Sequence, residues 1–227
     1  MIELTVHFYL VRHGQTKLNR YHRLQGITDS PLTKKGKAAA VKAGQNLKGI
    51  NFSAAYASDL DRTYTTAKLI LKENNQPDVP IYRDPGLREL SFGRFEEGKN
   101  RQVLPEIIRL LGPVNIWRAF YQPHHASKLT DLFQQVDHSS QIESARQLVN
   151  RMTQTLRYIG HKYNSNQPES SILVVTHALI LSVFIESLNG KVPRMLLKNV
   201  QICQVDYTDE KFVLKTPVKP QKGSRKS

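Results

Sequence analysis

Val6-His7-Phe8-Tyr9-Leu10-Val11, running directly into Arg12-His13-Gly14-Gln15-Thr16, is the stretch on which the reading of this chain turns. A short apolar run rich in β-branched and aromatic residues predicts a buried strand, and Gly14 breaks it. Arg12 and His13 then stand where a parallel strand delivers side chains to the carboxyl edge of an α/β sheet, the usual place for ligands. A guanidinium grips tetrahedral oxyanions and a neutral imidazole is a nucleophile, so the pair suits attack on a phosphoryl group. The run Ser171-Ile172-Leu173-Val174-Val175-Thr176 repeats the pattern and delivers His177 ahead of a helix-like stretch at 179–188. Two strand-end histidines from distant parts of the chain read as one site assembled from two crossovers.

Working outward, Asp29-Ser30-Pro31-Leu32-Thr33 announces a helix, with Thr33 as N-cap of an Ala-rich run to Leu47. A strand is expected at 52–57, a helix at 59–74 and a short strand at 79–83. Ile142, Ala145, Leu148, Val149, Met152, Leu156 and Ile159 form one stripe of a helix over 141–163. Residues 201–206 and 211–215 read as a terminal hairpin across Asp209-Glu210. Strands alternating with helices of ten or more residues predict an α/β fold, a three-layer αβα sandwich with a mostly parallel central sheet. Residues 99–140 break that rhythm: 104–111 is apolar at helical spacing, while Trp117, Phe120, Tyr121, Pro123 and Phe133 show little periodicity. This segment reads as an insertion over the site, a helical cap with loops. The expected organisation is one domain over 1–214 and a basic, disordered tail over 215–227.

Bulk properties narrow the classes. No apolar run reaches membrane-spanning length, and Met1-Ile2-Glu3-Leu4 lacks the basic start of a signal peptide. The single cysteine, Cys203, lies in an apolar alternation and reads as a core side chain, so a reducing cytoplasm is the expected compartment, with no membrane partner. The net charge is +14, and Lys211, Lys215, Lys219, Lys222, Arg225 and Lys226 end the chain without an acid among them. Such a field attracts anionic substrates. No recognition helix, aromatic-studded sheet motif or zinc spacing accompanies it, so nucleic acid is not an expected partner. His124, His125 and His138 match no compact metal-ligand spacing, and no metal or other cofactor is expected. The sequence leaves the oligomeric state open.

The stretch Leu10-Val11-Arg12-His13-Gly14-Gln15-Thr16-Lys17-Leu18-Asn19 resembles the signature of the histidine phosphatase (phosphoglycerate mutase-like) superfamily. Four further blocks resemble that family in order: Arg23-Leu24-Gln25-Gly26 with Asp29-Ser30-Pro31-Leu32-Thr33, Ser58-Asp59-Leu60-Asp61-Arg62, Leu87-Arg88-Glu89-Leu90-Ser91-Phe92-Gly93, and Val174-Val175-Thr176-His177. The likeness spans roughly residues 6 to 190. It implies that His13 is a nucleophile that becomes phosphohistidine and that Arg12 and Arg62 bracket the phosphoryl oxygens. It also implies that His177 donates to them, that Asn19, Gln25 and Gly26 complete the pocket, and that Glu89 moves the proton. In physical terms His13 must be neutral at its attacking nitrogen, and a backbone acceptor for its other nitrogen would fix the tautomer. One carboxyl can protonate the leaving alkoxide and then deprotonate water where burial brings its pKa towards the working pH. Glu96 and Glu97 are the alternative acids.

Three departures fall on the substrate side. Ala178 follows His177 where glycine is commonest; it still offers an N–H to phosphate, but narrows the pocket if the backbone needs positive φ. Phe95-Glu96-Glu97-Gly98 has one acid more than usual, and Ser139-Ser140-Gln141-Ile142-Glu143-Ser144 lacks the common glycines. Thr16 and Leu18 resemble the phosphatase branch, where mutases show serine and tryptophan. The expected activity is hydrolysis of a small phosphorylated metabolite. The alternatives are phosphoglycerate mutase-type transfer and a silent phospho-ligand binding module.

Overall fold

In a computed structural model, residues 4–137, 142–164, 169–193 and 196–215 are described. The first apolar run is strand β1 (Thr5–Arg12), and Ser171 to Thr176 lies in β4 (Glu169–Thr176). They pair in parallel from Thr5 opposite Glu169 to Arg12 opposite Thr176, so both end at the same level of the sheet. With β2 (Phe52–Ala57), β3 (Ile81–Arg83), β5 (Ile202–Thr208) and β6 (Lys211–Leu214), they form a six-stranded sheet in the order β3-β2-β4-β1-β5-β6. The first four strands run parallel; β5 and β6 form the antiparallel terminal hairpin.

From Phe8 to Val11 strand β1 is apolar without interruption because both of its faces are covered there. Tyr9 and Val11 pack with Ala40, Leu47, Ala67 and Ile70 of the layer built from α2 (Lys34–Asn46) and α3 (Asp61–Glu73). Phe8 and Leu10 face Leu148, Met152 and Leu156 of α7 (Ala145–Asn164) and Phe184 of α8 (Ala178–Ser187). This is the expected three-layer sandwich. Helix α2 starts where Thr33 predicts, its hydroxyl accepting the Gly36 N–H at 3.0 Å.

Between β3 and α7 lie α4 (Asn100–Leu111), α5 (Pro113–Tyr121) and α6 (His125–Val136). The expected loops around Trp117 and Phe133 are therefore helical. Each of these helices spans only about three turns, and Gly112 (φ 77°) and left-handed His124 (φ 57°) reset the direction between them, which erases any long-range period. Buried Glu186 of α8 accepts the N–H groups of Ala126 and Ser127 at 2.9 and 3.0 Å, docking the positive end of α6 on α8. A single turn, α1 (Lys17–Arg20), follows β1, held by a capping box between Thr16 and Asn19. The tail expected from 215 onward lies outside the described residues except for Lys215, which pairs with Asp206 at 3.4 Å. The glycine-poor stretch 139–141 lies outside them as well. Among the described residues no helix is long and apolar enough to cross a membrane.

Gly14 and Gly36 set how closely the turn after β1 approaches α2. A Cβ on Gly36 would lie 2.2 Å from the Gln15 carbonyl oxygen, and one on Gly14 would lie 2.7 Å from that of Gly36. Gly36→Ala is expected to cost about 1–3 kcal/mol by forcing backbone against backbone. Urea unfolding of the variant measures this; unchanged stability would contradict the close approach.

Candidate active site

The equal ends of β1 and β4 bring the two histidines together. Their rings are 5.2 Å apart between centroids, edge to face, and both are buried. His13 Nδ1 lies 2.8 Å from the Gly14 carbonyl. A carbonyl only accepts, so Nδ1 carries the hydrogen and the lone pair stands at Nε2. This is the backbone acceptor that the sequence reading calls for. The Gly14 N–H is in turn bound by Thr66 Oγ1 at 3.0 Å, and the His13 carbonyl accepts from Asn199 Nδ2 at 3.0 Å.

His177 takes the opposite tautomer. Its Nδ1 lies 3.2 Å from Arg62 Nε, and a guanidinium only donates, so Nδ1 is bare. Nε2 then carries the hydrogen and donates to Ser58 Oγ at 2.8 Å. Ser58 donates on to Thr63 Oγ1 at 2.9 Å, whose own hydrogen goes to the Leu60 carbonyl at 2.7 Å. Burial, reinforced by the nearby guanidiniums of Arg62 and Arg12, holds both imidazoles well below the ordinary imidazole pKa. Burial also brings Arg12 down to about 10, against the pull of Glu89.

The two arginines differ in what they have left to give. Arg12 spends one N–H on the Leu197 carbonyl at 2.6 Å, and its buried Nε has no protein partner. Arg62 is almost wholly committed: Nε to His177, Nη1 to the Thr28 carbonyl at 2.7 Å and Asp29 Oδ1 at 3.2 Å, and Nη2 to the Gly26 carbonyl. One Nη2 hydrogen of its five remains.

Glu89 sits at the start of α8. Its Oε1 accepts from the Leu90 and Ile180 N–H groups, each at 3.0 Å, and Oε2 accepts only that of Leu179, at 2.9 Å. Oε2 is therefore the oxygen with room for a proton. The segment before Glu89 is tied down by Thr176 Oγ1, which donates to the Leu87 carbonyl at 2.8 Å. Arg151 of α7 also binds the carbonyls of Gly86 and Arg88.

A cavity of about 520 Å³ opens on this edge. Of the residues expected in the site, Arg12, His13, Asn19, Gln25, Glu89 and Ala178 line it. Arg62, His177 and Gly26 are not among its lining residues: the ring nitrogens of His177 meet Arg62 and Ser58, the backbone groups of Gly26 meet Arg62 and Glu96, and Arg62 keeps one Nη2 hydrogen. Ala178 is the first residue of α8 and has no positive φ, so the departure from glycine does not strain the turn. Glu96 is not a free acid: it accepts from the N–H groups of Gly26, Thr28 and Phe92, clasping two loops. Glu97, at φ 59°, closes the same turn with its N–H on the Leu24 carbonyl. Gln15 and Asn199 also line the cavity. Asn199 carries no sequence signal, since it reaches the site from a loop between α8 and β5. Ser58, partner of His177, was visible only as a member of the Arg62 block. No group of three or more potential metal ligands occurs among the described residues; His125 Nε2 binds the Pro193 carbonyl at 2.9 Å.

Known proteins were compared with this arrangement. A family model described as the histidine phosphatase superfamily (branch 1) matches residues 8–219. A probable phosphoglycerate mutase GpmB of Erwinia tasmaniensis is 31% identical over 204 residues, 88% of this chain and 84% of that protein. The crystal structure of phosphoglycerate mutase from Bacillus anthracis superposes with a TM-score of 0.87 at 29% identity, covering 96% of this chain and 95% of that one. The α-ribazole phosphatase of Shigella flexneri shares the fold, with a TM-score of 0.69, 22% identity and coverage of 94% and 96%.

The neutral histidines have a consequence for stability. Below the ordinary imidazole pKa of 6.5 the unfolded chain binds protons that the folded site refuses, so stability falls as pH drops through that value and is unaffected by these groups above it. Each histidine contributes a slope of about 1.4 kcal/mol per pH unit in that window. In urea unfolding at pH 7.5, 6.5 and 5.5, His13→Asn should lose stability on acidification less steeply than wild type, by about that amount. Parallel curves would show that His13 takes up a proton freely in the folded protein.

Proposed function

Because the chain belongs to the histidine phosphatase superfamily (branch 1), we propose that it is a metal-independent phosphomonoesterase acting on a small phosphorylated substrate through phosphohistidine at His13. The observation that carries this reading is the tautomer of His13, whose Nδ1 hydrogen on the Gly14 carbonyl leaves the nucleophilic lone pair at Nε2 in a cavity beside Arg12. In the first step Nε2 attacks phosphorus, the bond to the leaving alcohol breaks, and its oxygen takes a proton from Glu89 Oε2. In the second step water passes a proton to Glu89 as its oxygen attacks phosphorus, the N–P bond breaks, and inorganic phosphate leaves with His13 restored. Arg12, with its unspent donors, holds the phosphoryl oxygens. Arg62 acts one layer out, suppressing protonation of His13 and aligning His177. The buried, unpaired Cys203 is consistent with a reducing cytoplasm.

The names of relatives at 31% and 29% identity favour phosphoglycerate mutase-type transfer as the second reading. Phosphoglycerate carries a carboxylate besides its phosphate, and binding both calls for two separate cationic groups. Among the described residues, the arginine and lysine side chains that line the cavity are Arg12 and Arg23, and Arg23 spends one N–H on the Glu97 carbonyl. This supports the hydrolase. Incubation with 3-phosphoglycerate and a trace of 2,3-bisphosphoglycerate, followed by phosphorus NMR, separates the two: 2-phosphoglycerate formed without inorganic phosphate would establish a mutase, and inorganic phosphate without 2-phosphoglycerate the hydrolase.

Quenching turnover of labelled p-nitrophenyl phosphate should trap an acid-labile phosphoenzyme, absent in His13→Ala, and activity should survive prolonged EDTA treatment. A fully active His13→Ala enzyme would refute the mechanism. Glu89→Gln should slow phosphoenzyme formation roughly 10²- to 10⁴-fold with an alkyl phosphate, and far less with p-nitrophenyl phosphate, whose leaving group needs little protonation. Equal losses with both would reduce Glu89 to shaping the pocket.

A further inference from the structure

The cavity is much larger than a phosphate needs, and the wall that α4, α5 and α6 give it is mostly apolar. At about 520 Å³ it falls in the range of sites that enclose drug-sized molecules. Helix α4 contributes Val103, Leu104 and Ile107, α5 contributes Ile116, and α6 contributes Leu129 and Leu132. Phe133 and Phe92, 4.9 Å apart and edge to face, form an aromatic wall nearby. Among the described side chains of these three helices, Asn100 is the polar one that lines the cavity. Of the other polar lining groups, Gln25 Oε1 accepts from Thr16, Gln15 Oε1 accepts from Thr33, Asn19 Oδ1 accepts from the Thr16 N–H, Asn199 binds the His13 carbonyl and Arg23 binds the Glu97 carbonyl, while His22 is exposed to solvent.

A sugar, glycerate or nucleotide lodged here would bury hydroxyl or carboxylate groups against leucine, isoleucine and phenylalanine, losing their water without gaining partners. An apolar chain or ring loses nothing and leaves water behind. Resting on the phosphatase reading, we propose that the leaving group of the substrate is a bulky apolar alcohol, alkyl or aryl, seated under α4, α5 and α6 while its phosphate meets Arg12 and His13.

The n-alkyl phosphates from methyl to octyl test this, because from propyl onward the leaving alcohol hardly changes in basicity and only the buried chain grows. Wild-type kcat/KM should rise about threefold to fourfold per added methylene until the cavity is filled. On that basis octyl phosphate should exceed sn-glycerol 3-phosphate and 3-phosphoglycerate by roughly a hundredfold or more. Leu104→Gln, at a half-exposed position, should flatten the series, with a loss that widens as the chain lengthens. A flat series, or preference for the glycerol and glycerate esters, overturns the apolar subsite while p-nitrophenyl phosphate turnover still upholds the phosphatase. If no phosphomonoester is turned over, the phosphatase reading fails, and calorimetric binding of the matching alkylphosphonates decides the subsite alone. Affinity rising with chain length supports it; equal affinity for methyl- and octylphosphonate overturns it.

Discussion

Two uncharged imidazoles are buried side by side within the field of two guanidiniums, and the rest of the site is arranged around keeping them so. The strands supply proximity: because β1 and β4 pair without a stagger, His13 and His177 leave the sheet at one level. The immediate neighbours supply identity. A carbonyl beside one ring and a guanidinium beside the other impose opposite tautomers on two chemically equal side chains. Burial then penalises the extra proton on either ring. That both rings stay neutral is thus a product of the fold rather than of the residue type.

The carboxylate is held by a separate frame. Thr176 and Arg151 fix the backbone leading to Glu89, and the first turn of α8 fixes its oxygens, so Glu89 and His13 are positioned by separate elements that meet at one edge of the sheet. Glu96 performs the equivalent service for the loops at Gly26 and Phe92. The insertion adds the third component. Its described residues set apolar side chains of α4, α5 and α6 along the cavity, and Glu186 anchors α6 to α8.

Much of this was legible in the sequence. Runs such as Phe8 to Val11 and Ile172 to Val175 are apolar on both faces, a pattern that a strand covered on two sides explains, and the residues after them lie at the sheet edge. Thr33 announced its helix because a cap is a local interaction. The helices α5 and α6 were not legible, since each is too short to show a period and a left-handed residue or a glycine separates them from their neighbours. Nor could the sequence tell that Arg62 and His177 bind each other. Their further partners, Gly26 and Asp29 in one loop and Ser58 in another, come from separate segments, and the direction of a side chain is decided by that tertiary competition. The Leu197 carbonyl and Asn199, which hold Arg12 and His13 from across the fold, left no local trace for the same reason.

Nitrogen-15 NMR of the imidazole side chains tests the central claim most directly, because it reads protonation at each ring nitrogen separately. The account predicts, between pH 6 and 8, a His13 ring protonated at Nδ1 and bare at Nε2, beside a His177 ring protonated at Nε2 and bare at Nδ1. Two rings in the same tautomer, or either ring doubly protonated at pH 6.5, would contradict it.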